Sequence, residues 1–368
     1  MKKILIVSTV SRQFYLFEQG NIEVLKSLGF EVHAAANFSD ANKRLDALEI
    51  TRHHFDIQRS PISLKNLKAY RQLLDIMKSE KFDVIHCHSP MGGVITRIAA
   101  KFLSISPVIY TAHGFHFYKG APIINWAIYY PVEWFLSKYT NHIITINMED
   151  FNKAKEFKAD RIHYVPGIGV DTSKFNKTTI TRNEKRNELG VSENTIVLLS
   201  IGEMIKRKNH ETALRALAKL ENQNFVYLIC GKGELEGFLK NLAVSLGIQE
   251  KVRFLGFRND VNEICIASDV LLFPSYQEGL PVSVMEGMAA GLPIVCSEIR
   301  GNTDLVEDGI GGYLLKPNDI KGFSQAIDSM ITSKEKRRNM GKYNQEKVLL
   351  FDKGNVKKIM NKLYGQWG

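Results

Sequence analysis

Two glutamates eight residues apart, Glu278 and Glu286, stand on either side of the short turn Gly279-Leu280-Pro281-Val282. The apolar run Val270-Leu271-Leu272-Phe273 reads as a strand ending at Phe273, and Pro281 suits the first turn of a helix reaching about Ala290. A helix beginning there leaves backbone amides unpaired and points its positive end outward, so the loop backbone from Gly279 through Leu280, Pro281 and Val282 suits an anionic group such as a diphosphate. A carboxylate repels phosphate but accepts hydroxyl protons. Glu286, about one and a half turns in, is therefore expected on ribose hydroxyls, and Glu278 on those of a transferred sugar. On spacing alone, two solvated acids beside an ordinary helix fit equally well.

Other groups are spaced for related work. Gly202 follows the apolar run Ile196–Ile201, and the cations Lys206, Arg207 and Lys208 follow Gly202. His113 closes the run Tyr110-Thr111-Ala112, with Gly114 behind it permitting close backbone approach and His116 three residues on. His86 and His88 flank Cys87, so strand alternation sets both on one side. Two histidines without a third ligand do not make a metal site, and no Asp-x-Asp occurs anywhere. No metal or cofactor is expected. His88, nearest the strand end, is a candidate for contact with an acceptor, as is His116.

The elements that must position these residues form two series. Short β-branched runs at Ile4–Val7, Glu31–Ala35, Val84–Cys87, Val108–Thr111 and His142–Ile146 alternate with stretches of helical spacing, the βαβ rhythm of a parallel sheet. The rhythm restarts at Ile196–Ile201 and continues through Phe225–Cys230, Val252–Leu255, Val270–Phe273, Ile294–Cys296 and Gly312–Leu315. The expected class is α/β, with two Rossmann-like domains, residues 1–171 and 172–344. A C-terminal helix over about 345–368 either completes the second domain or packs back on the first. Two such domains in series place ligands at the carboxyl ends of their strands, and a cleft between them is where the chemistry is expected.

At 368 residues the chain is long for one core and comfortable as two, and its formal net charge is +10. The surplus is clustered and suits anionic partners, but no helix-turn-helix, zinc spacing or ribonucleoprotein aromatics appear, so nucleic acid is not expected. The four cysteines are scattered singly, as core thiols are. The opening Met1-Lys2-Lys3 precedes only four apolar residues before Ser8, so it reads as a first strand and not a signal peptide. No apolar stretch reaches the roughly 18 residues needed to span a bilayer. From Phe115 to Tyr139 the chain is rich in aromatics, with Lys119 and Lys138 near the ends. Core packing absorbs such residues, and they equally suit shallow docking on an anionic membrane.

The Glu-x7-Glu stretch, with Pro274-Ser275 before it and Gly287-Met288-Ala289-Ala290-Gly291-Leu292-Pro293 after, resembles the signature of glycosyltransferase family 4. The resemblance extends over Gly202–Lys208, Gly231-Lys232-Gly233, Gly256-Phe257, Ser268-Asp269 and Gly301–Gly309. In the first half it rests on Thr111-Ala112-His113-Gly114 and the strand order. It implies the GT-B architecture and a retaining, metal-independent hexosyl transfer from a nucleotide-sugar donor, with uridine favoured and an N-acetylated hexosamine as one candidate. Its likeness to capsule and exopolysaccharide transferases implies a polyprenyl-diphosphate-linked saccharide acceptor, met by a cytoplasmic protein peripheral on the inner face of the plasma membrane. By the same resemblance Lys208 clamps the diphosphate, His113 hydrogen-bonds the donor sugar, and Glu278 serves with it in catalysis. Where the family carries an arginine this chain has Glu203, leaving Lys206 or Arg207 to supply that charge. The first loop, Ser8 to Gln13, lacks the family's paired glycines and offers Arg12 toward an acceptor phosphate. Two rivals share parts of this pattern: a nucleotide-sugar epimerase, which would need no acceptor, and a two-lobed sugar-binding protein without chemistry.

Overall fold

A computed structural model describes residues 1–40 and 42–368, with Asn176 described in its backbone only. The chain divides into two compact units, one of residues 1–168 with 353–368, the other of residues 169–352. The first holds seven parallel strands: β1 (Lys3–Val10), β2 (Glu31–Asn37), β3 (Thr51–His54), β4 (Val84–His88), β5 (Val108–Ala112), β6 (His142–Thr145) and β7 (Arg161–Tyr164), in the order β3-β2-β1-β4-β5-β6-β7. The second holds six: β8 (Ile196–Ile201), β9 (Phe225–Cys230), β10 (Val252–Gly256), β11 (Val270–Phe273), β12 (Ile294–Ser297) and β13 (Gly312–Leu315), in the order β10-β9-β8-β11-β12-β13.

The central strands are near-continuous apolar runs because helices cover both faces of each sheet. In the first unit Leu5, Val7, Ile85 and Cys87 pack beneath the helices Lys65–Glu80 and Pro90–Phe102. Ile4, Ile6 and Val84 face the other way, onto the helix Gln19–Ser27 and the chain's last helix, Lys353–Tyr364. That last helix lays Val356, Met360, Leu363 and Tyr364 into the first unit's core, while the preceding helix, Lys334–Lys347, belongs to the second unit. All eleven strands expected from the sequence are present. β3 and β7 are additions: both are edge strands with polar sequences, Thr-Arg-His-His and Arg-Ile-His-Tyr, that carry no apolar run.

Each sheet reverses its strand order once, between β1 and β4 and between β8 and β11. In doubly wound sheets a ligand binds at that reversal, outside the carboxyl ends of the strands.

Candidate functional site

In the second unit, β8 ends at Ile201 and runs through Gly202 into a single turn of Lys206–Lys208; β11 ends at Phe273 and runs into the Pro274–Pro281 loop. The two loops meet. Glu278 Oε1 accepts from Arg207 Nη1 and Lys208 Nζ, both at 2.8 Å, and Arg207 also donates to the Gln277 carbonyl at 3.0 Å. Lys208 Nζ lies 4.7 Å from the Phe273 ring centroid, which fixes its stem. Arg300, beyond β12, donates from Nε to the Glu278 carbonyl at 3.2 Å. The next residue, Gly301, has φ +82°, and a Cβ there would stand 2.3 Å from the Gly279 carbonyl oxygen, so only glycine lets the two loops touch.

The helix after the loop is Val282–Ala289, with Pro281 extended just before it; Pro281 thus precedes the first turn expected to contain it. The amides of Val282, Ser283 and Val284 lie in that first turn, where a helix supplies no partner. Loop, helix end and three cations therefore concentrate positive potential where the strand order reverses, with one carboxylate among them.

Of the residues expected here, Lys208, Arg207, Glu278, Gly279, Leu280, Pro281 and Val282 come together, and Glu286 sits half-buried in the same helix. Gly202 lies under Lys208, where a Cβ would meet the lysine stem at 3.2 Å. Lys206 and Glu203 are exposed, outside the cluster, so of Lys206 and Arg207 it is Arg207 that joins Lys208 at the loop. No motif in the sequence marks Arg300. Its only signal was its place just before Gly301, inside a stretch of short polar residues.

The site in the first unit is of another kind. Arg12 opens the helix Arg12–Phe17 and is exposed; the β1 strand runs to Val10, so the loop expected there is almost absent. Gln13 on that helix is buried and donates to Glu18 Oε1 at 2.9 Å, while Asn21 donates to Glu18 Oε2 at 2.7 Å. Gln13 Nε2 is also 3.2 Å from His113 Nε2, and His88 Nδ1 is 3.1 Å from the same nitrogen and 3.4 Å from Glu18 Oε1. Behind His88, at 4.1 Å between ring centroids, His86 bonds Thr111 Oγ1 at 2.7 Å and the Tyr364 hydroxyl at 2.6 Å.

Burial governs this cluster. It pushes His113 down to about 4 and His88 to about 3, and holds His86 well below the usual histidine range, so all three rings are neutral at pH 7. Burial raises the Glu18 carboxyl, opposed by His113 and by the bonds from Asn21 and Gln13. Glu18, His88 and His113 each bring one ligand atom within 4.8 Å of the others, a grouping that could hold a metal ion; of the histidine pair noted in the sequence, His88 belongs to it and His86 does not.

His88 is 1 % exposed, enclosed by His86, Glu18 and His113, which removes it from the direct acceptor contact expected of it. His116 stacks on Tyr129 at 4.5 Å and lines, with His113, Gly114, Tyr110 and Glu133, a cavity of about 100 Å³. The aromatic stretch also divides. Phe115 and Phe117 are buried, and Trp126, Tyr129, Tyr130 and Trp134 pack half-buried against the core. The outer face of the helix Ile123–Leu136 is aliphatic instead: Ile123, Ile124, Ala127, Ile128, Pro131 and Val132, with Phe135 beyond, all exposed. Among the described residues no helix is long and apolar enough to cross a membrane.

The sequence matches two family models, glycosyl transferase 4-like over residues 3–147 and glycosyl transferases group 1 over residues 181–347. It is 35 % identical over 373 residues to the putative glycosyltransferase EpsD of Bacillus subtilis, covering all of this chain and 97 % of that one. The chain belongs to the group 1 glycosyltransferases. This glycosyltransferase is also 33 % identical over 272 residues to the UDP-Gal:alpha-D-GlcNAc-diphosphoundecaprenol alpha-1,3-galactosyltransferase of Escherichia coli, over 72 % of this chain and 70 % of that one. Its fold matches the crystal structure of Anabaena HepE in complex with UDP and glucose, with a TM-score of 0.81, 18 % identity and both chains covered completely. The WaaG glycosyltransferase of lipopolysaccharide biosynthesis matches with a TM-score of 0.74 at 17 % identity, over 98 % of this chain and 99 % of that one. The GT-B architecture is thereby established for this chain.

Proposed function

We propose that this glycosyltransferase moves a hexosyl or N-acetylhexosaminyl group, with retention, from a uridine diphosphate donor to a saccharide carried on polyprenyl diphosphate, in capsule or exopolysaccharide synthesis at the inner face of the plasma membrane. The observation that carries the donor half is the meeting of Arg207, Lys208 and Arg300 around the Glu278 loop at the start of the helix Val282–Ala289. Cations and free amides at one point suit a leaving diphosphate and neutralise it without a divalent metal. Glu278, now bonded to two of those cations, exchanges them for sugar hydroxyls when the diphosphate arrives, and Glu286 takes the ribose. His113 offers a neutral hydrogen-bond donor to the sugar. The acceptor half draws on the E. coli relative, whose name specifies a diphosphoundecaprenol-linked acceptor.

For the membrane, the aliphatic outer face of Ile123–Leu136 carries Ile123 at 86 % exposure and Ile124 at 60 %, and Ile98 and Phe102 of the adjacent helix are exposed as well. Lysines surround it: Lys101 lies over Tyr139, Lys138 over Trp134 and Phe135, and Lys158 over Trp134. An apolar helix face rimmed by lysines suits shallow insertion into an anionic bilayer, the place where a polyprenyl-linked acceptor resides.

The test is thermal stabilisation by UDP, GDP, ADP and their common sugar derivatives in EDTA, for wild type and Glu286→Ala. The expected result is stabilisation on the order of 5 °C by uridine nucleotides at a hundredfold excess over Kd, lost in the variant. Stabilisation by none of the nucleotides in the folded protein overturns the donor site, and sugar turnover without an acceptor shifts the reading to an epimerase.

A further inference from the structure

The cluster behind His113 fixes more than its position. His88 Nε2 is buried with no hydrogen-bond partner among the described residues. A proton there would leave an N–H pointing at nothing, a greater loss than an unused lone pair, so the His88 proton belongs on Nδ1, aimed at His113 Nε2 and Glu18 Oε1. Gln13 leads to the same assignment. Its Nε2 is 2.9 Å from the Glu18 carboxyl and 3.2 Å from His113 Nε2, and an amide nitrogen has hydrogens for both. His113 Nε2 therefore meets two donors and has to accept. The ring's proton then lies on Nδ1, which has no protein partner among the described residues and, unlike His88 Nε2, is not sealed off from solvent.

We propose that Glu18, acting through Gln13 and His88, is a positioning residue that holds His113 in the Nδ1–H form with that hydrogen directed outward, so that a sugar hydroxyl meets a fixed donor. Free imidazole side chains in water favour the Nε2–H form, so the arrangement reverses the default. Glu18 is suited to the task because it lies in the link between the helices Arg12–Phe17 and Gln19–Ser27, anchored by Asn21 on its second oxygen and 1 % exposed. The supporting shell reaches further. His86, packed against His88 with its ring tilted by 39°, is held between Thr111 and Tyr364, so strands β4 and β5 and the last helix all brace the same ring. A donor fixed in this way needs no reorientation when substrate binds, which is where supporting residues contribute to rate.

The inference rests on the sugar-transfer reading for its purpose but not for its principal readout. Long-range proton–nitrogen correlation spectra of the full chain, labelled at histidine, report each ring's tautomer at pH 7 without any substrate. The expected wild-type result is His113 with Nδ1 protonated and Nε2 bare. Glu18→Ala is expected to move His113 toward Nε2–H, whereas Glu18→Gln, which keeps an accepting oxygen for Gln13 and His88, retains the native tautomer; Gln13→Ala substitutes if Glu18→Ala does not fold. In UDP release from UDP-N-acetylglucosamine, Glu18→Ala is expected to lower kcat by about 10- to 100-fold with KM changed less than threefold, and Glu18→Gln to stay within threefold of wild type. A wild-type His113 protonated on Nε2, or a native tautomer preserved in both alanine variants, overturns the proposal. So does a visible ligand-field band on adding cobalt(II) alone that is lost in His88→Ala, since the three atoms would then serve a cation. No turnover by wild type with this nucleotide sugar counts against the donor reading and leaves the tautomer result to decide this one.

Discussion

Where β1 and β4 part in the first unit, the side chains at the strand ends are neutral imidazoles, an amide and one carboxyl, nearly all withdrawn from water. Where β8 and β11 part in the second, they are two guanidinium groups, an ammonium and a carboxylate, with Arg207 40 % exposed. The same strand order thus supplies only a location. Side chains decide whether that location offers oriented neutral donors, which suit hydroxyl groups, or concentrated charge, which suits phosphate. The two also respond to different conditions: charge contacts near water are screened by salt, whereas a buried neutral network responds to protons.

Lys208→Ala carries the largest expected effect, a loss of about 10²- to 10³-fold in transfer rate, because one preorganised cation at a leaving diphosphate is removed. A loss below threefold, measured as UDP release, would erase the distinction drawn for the second unit. Acid is expected to act on the first unit next. The folded values of about 4 for His113 and about 3 for His88 lie below the unfolded value near 6.5. The stability these rings contribute is therefore complete above pH 6.5 and lost as pH falls toward 4 and then 3, at roughly 1.4 kcal/mol per pH unit for each ring. Glu18, with its carboxyl raised, works in the opposite sense as pH rises past the usual carboxylate range. His142 in the first unit and His210 in the second, each lowered to about 4 by burial, add to the same acid limit, so the cluster's own share is read from His88→Gln. Urea midpoints between pH 7 and 4.5 should fall less steeply in that variant, and parallel curves would count against a buried neutral network.

A smaller effect is expected at the apolar face. Ile124→Glu with Ile128→Glu should weaken binding to vesicles containing 30 % phosphatidylglycerol by about tenfold or more while leaving stability within about 0.5 kcal/mol. Unchanged vesicle binding with loss of a dimer in light scattering would assign the face to a second copy. The smallest is Glu278→Gln, which unburdens Arg207 and Lys208: UDP binding should tighten by about two- to fivefold and weaken more steeply with added salt, as seen by calorimetry, even as transfer declines.

These contrasts were unevenly legible in the sequence. Buried parallel strands announce themselves because both faces demand apolar residues, and the paired glutamates with the glycine turn mark the second unit's site within one stretch of chain. β3 and β7 escaped because an edge strand satisfies only part of that demand. Glu18 escaped for a different reason: an acid beside Gln19 looks like any solvated helix residue, and its partners at His88 and His113 are brought to it only by the order of the strands. The aromatic run misled in one respect, since Trp126 and Trp134 turned inward and left the aliphatic positions outside. Half-period spacing in a helix apolar on every side does not say which side is covered.

The placement of Lys353–Tyr364 in the first unit has a consequence for synthesis on the ribosome. Tyr364 closes over His86 and, with Val356, Met360 and Leu363, completes the core begun by Ile4 and Ile6. The first unit therefore cannot finish folding when its own first 168 residues have emerged; it waits, with an apolar flank uncovered, until the whole intervening unit has been translated. The unit encoded second is complete first, and the imidazole cluster behind His113 is among the last parts of the molecule to become dry.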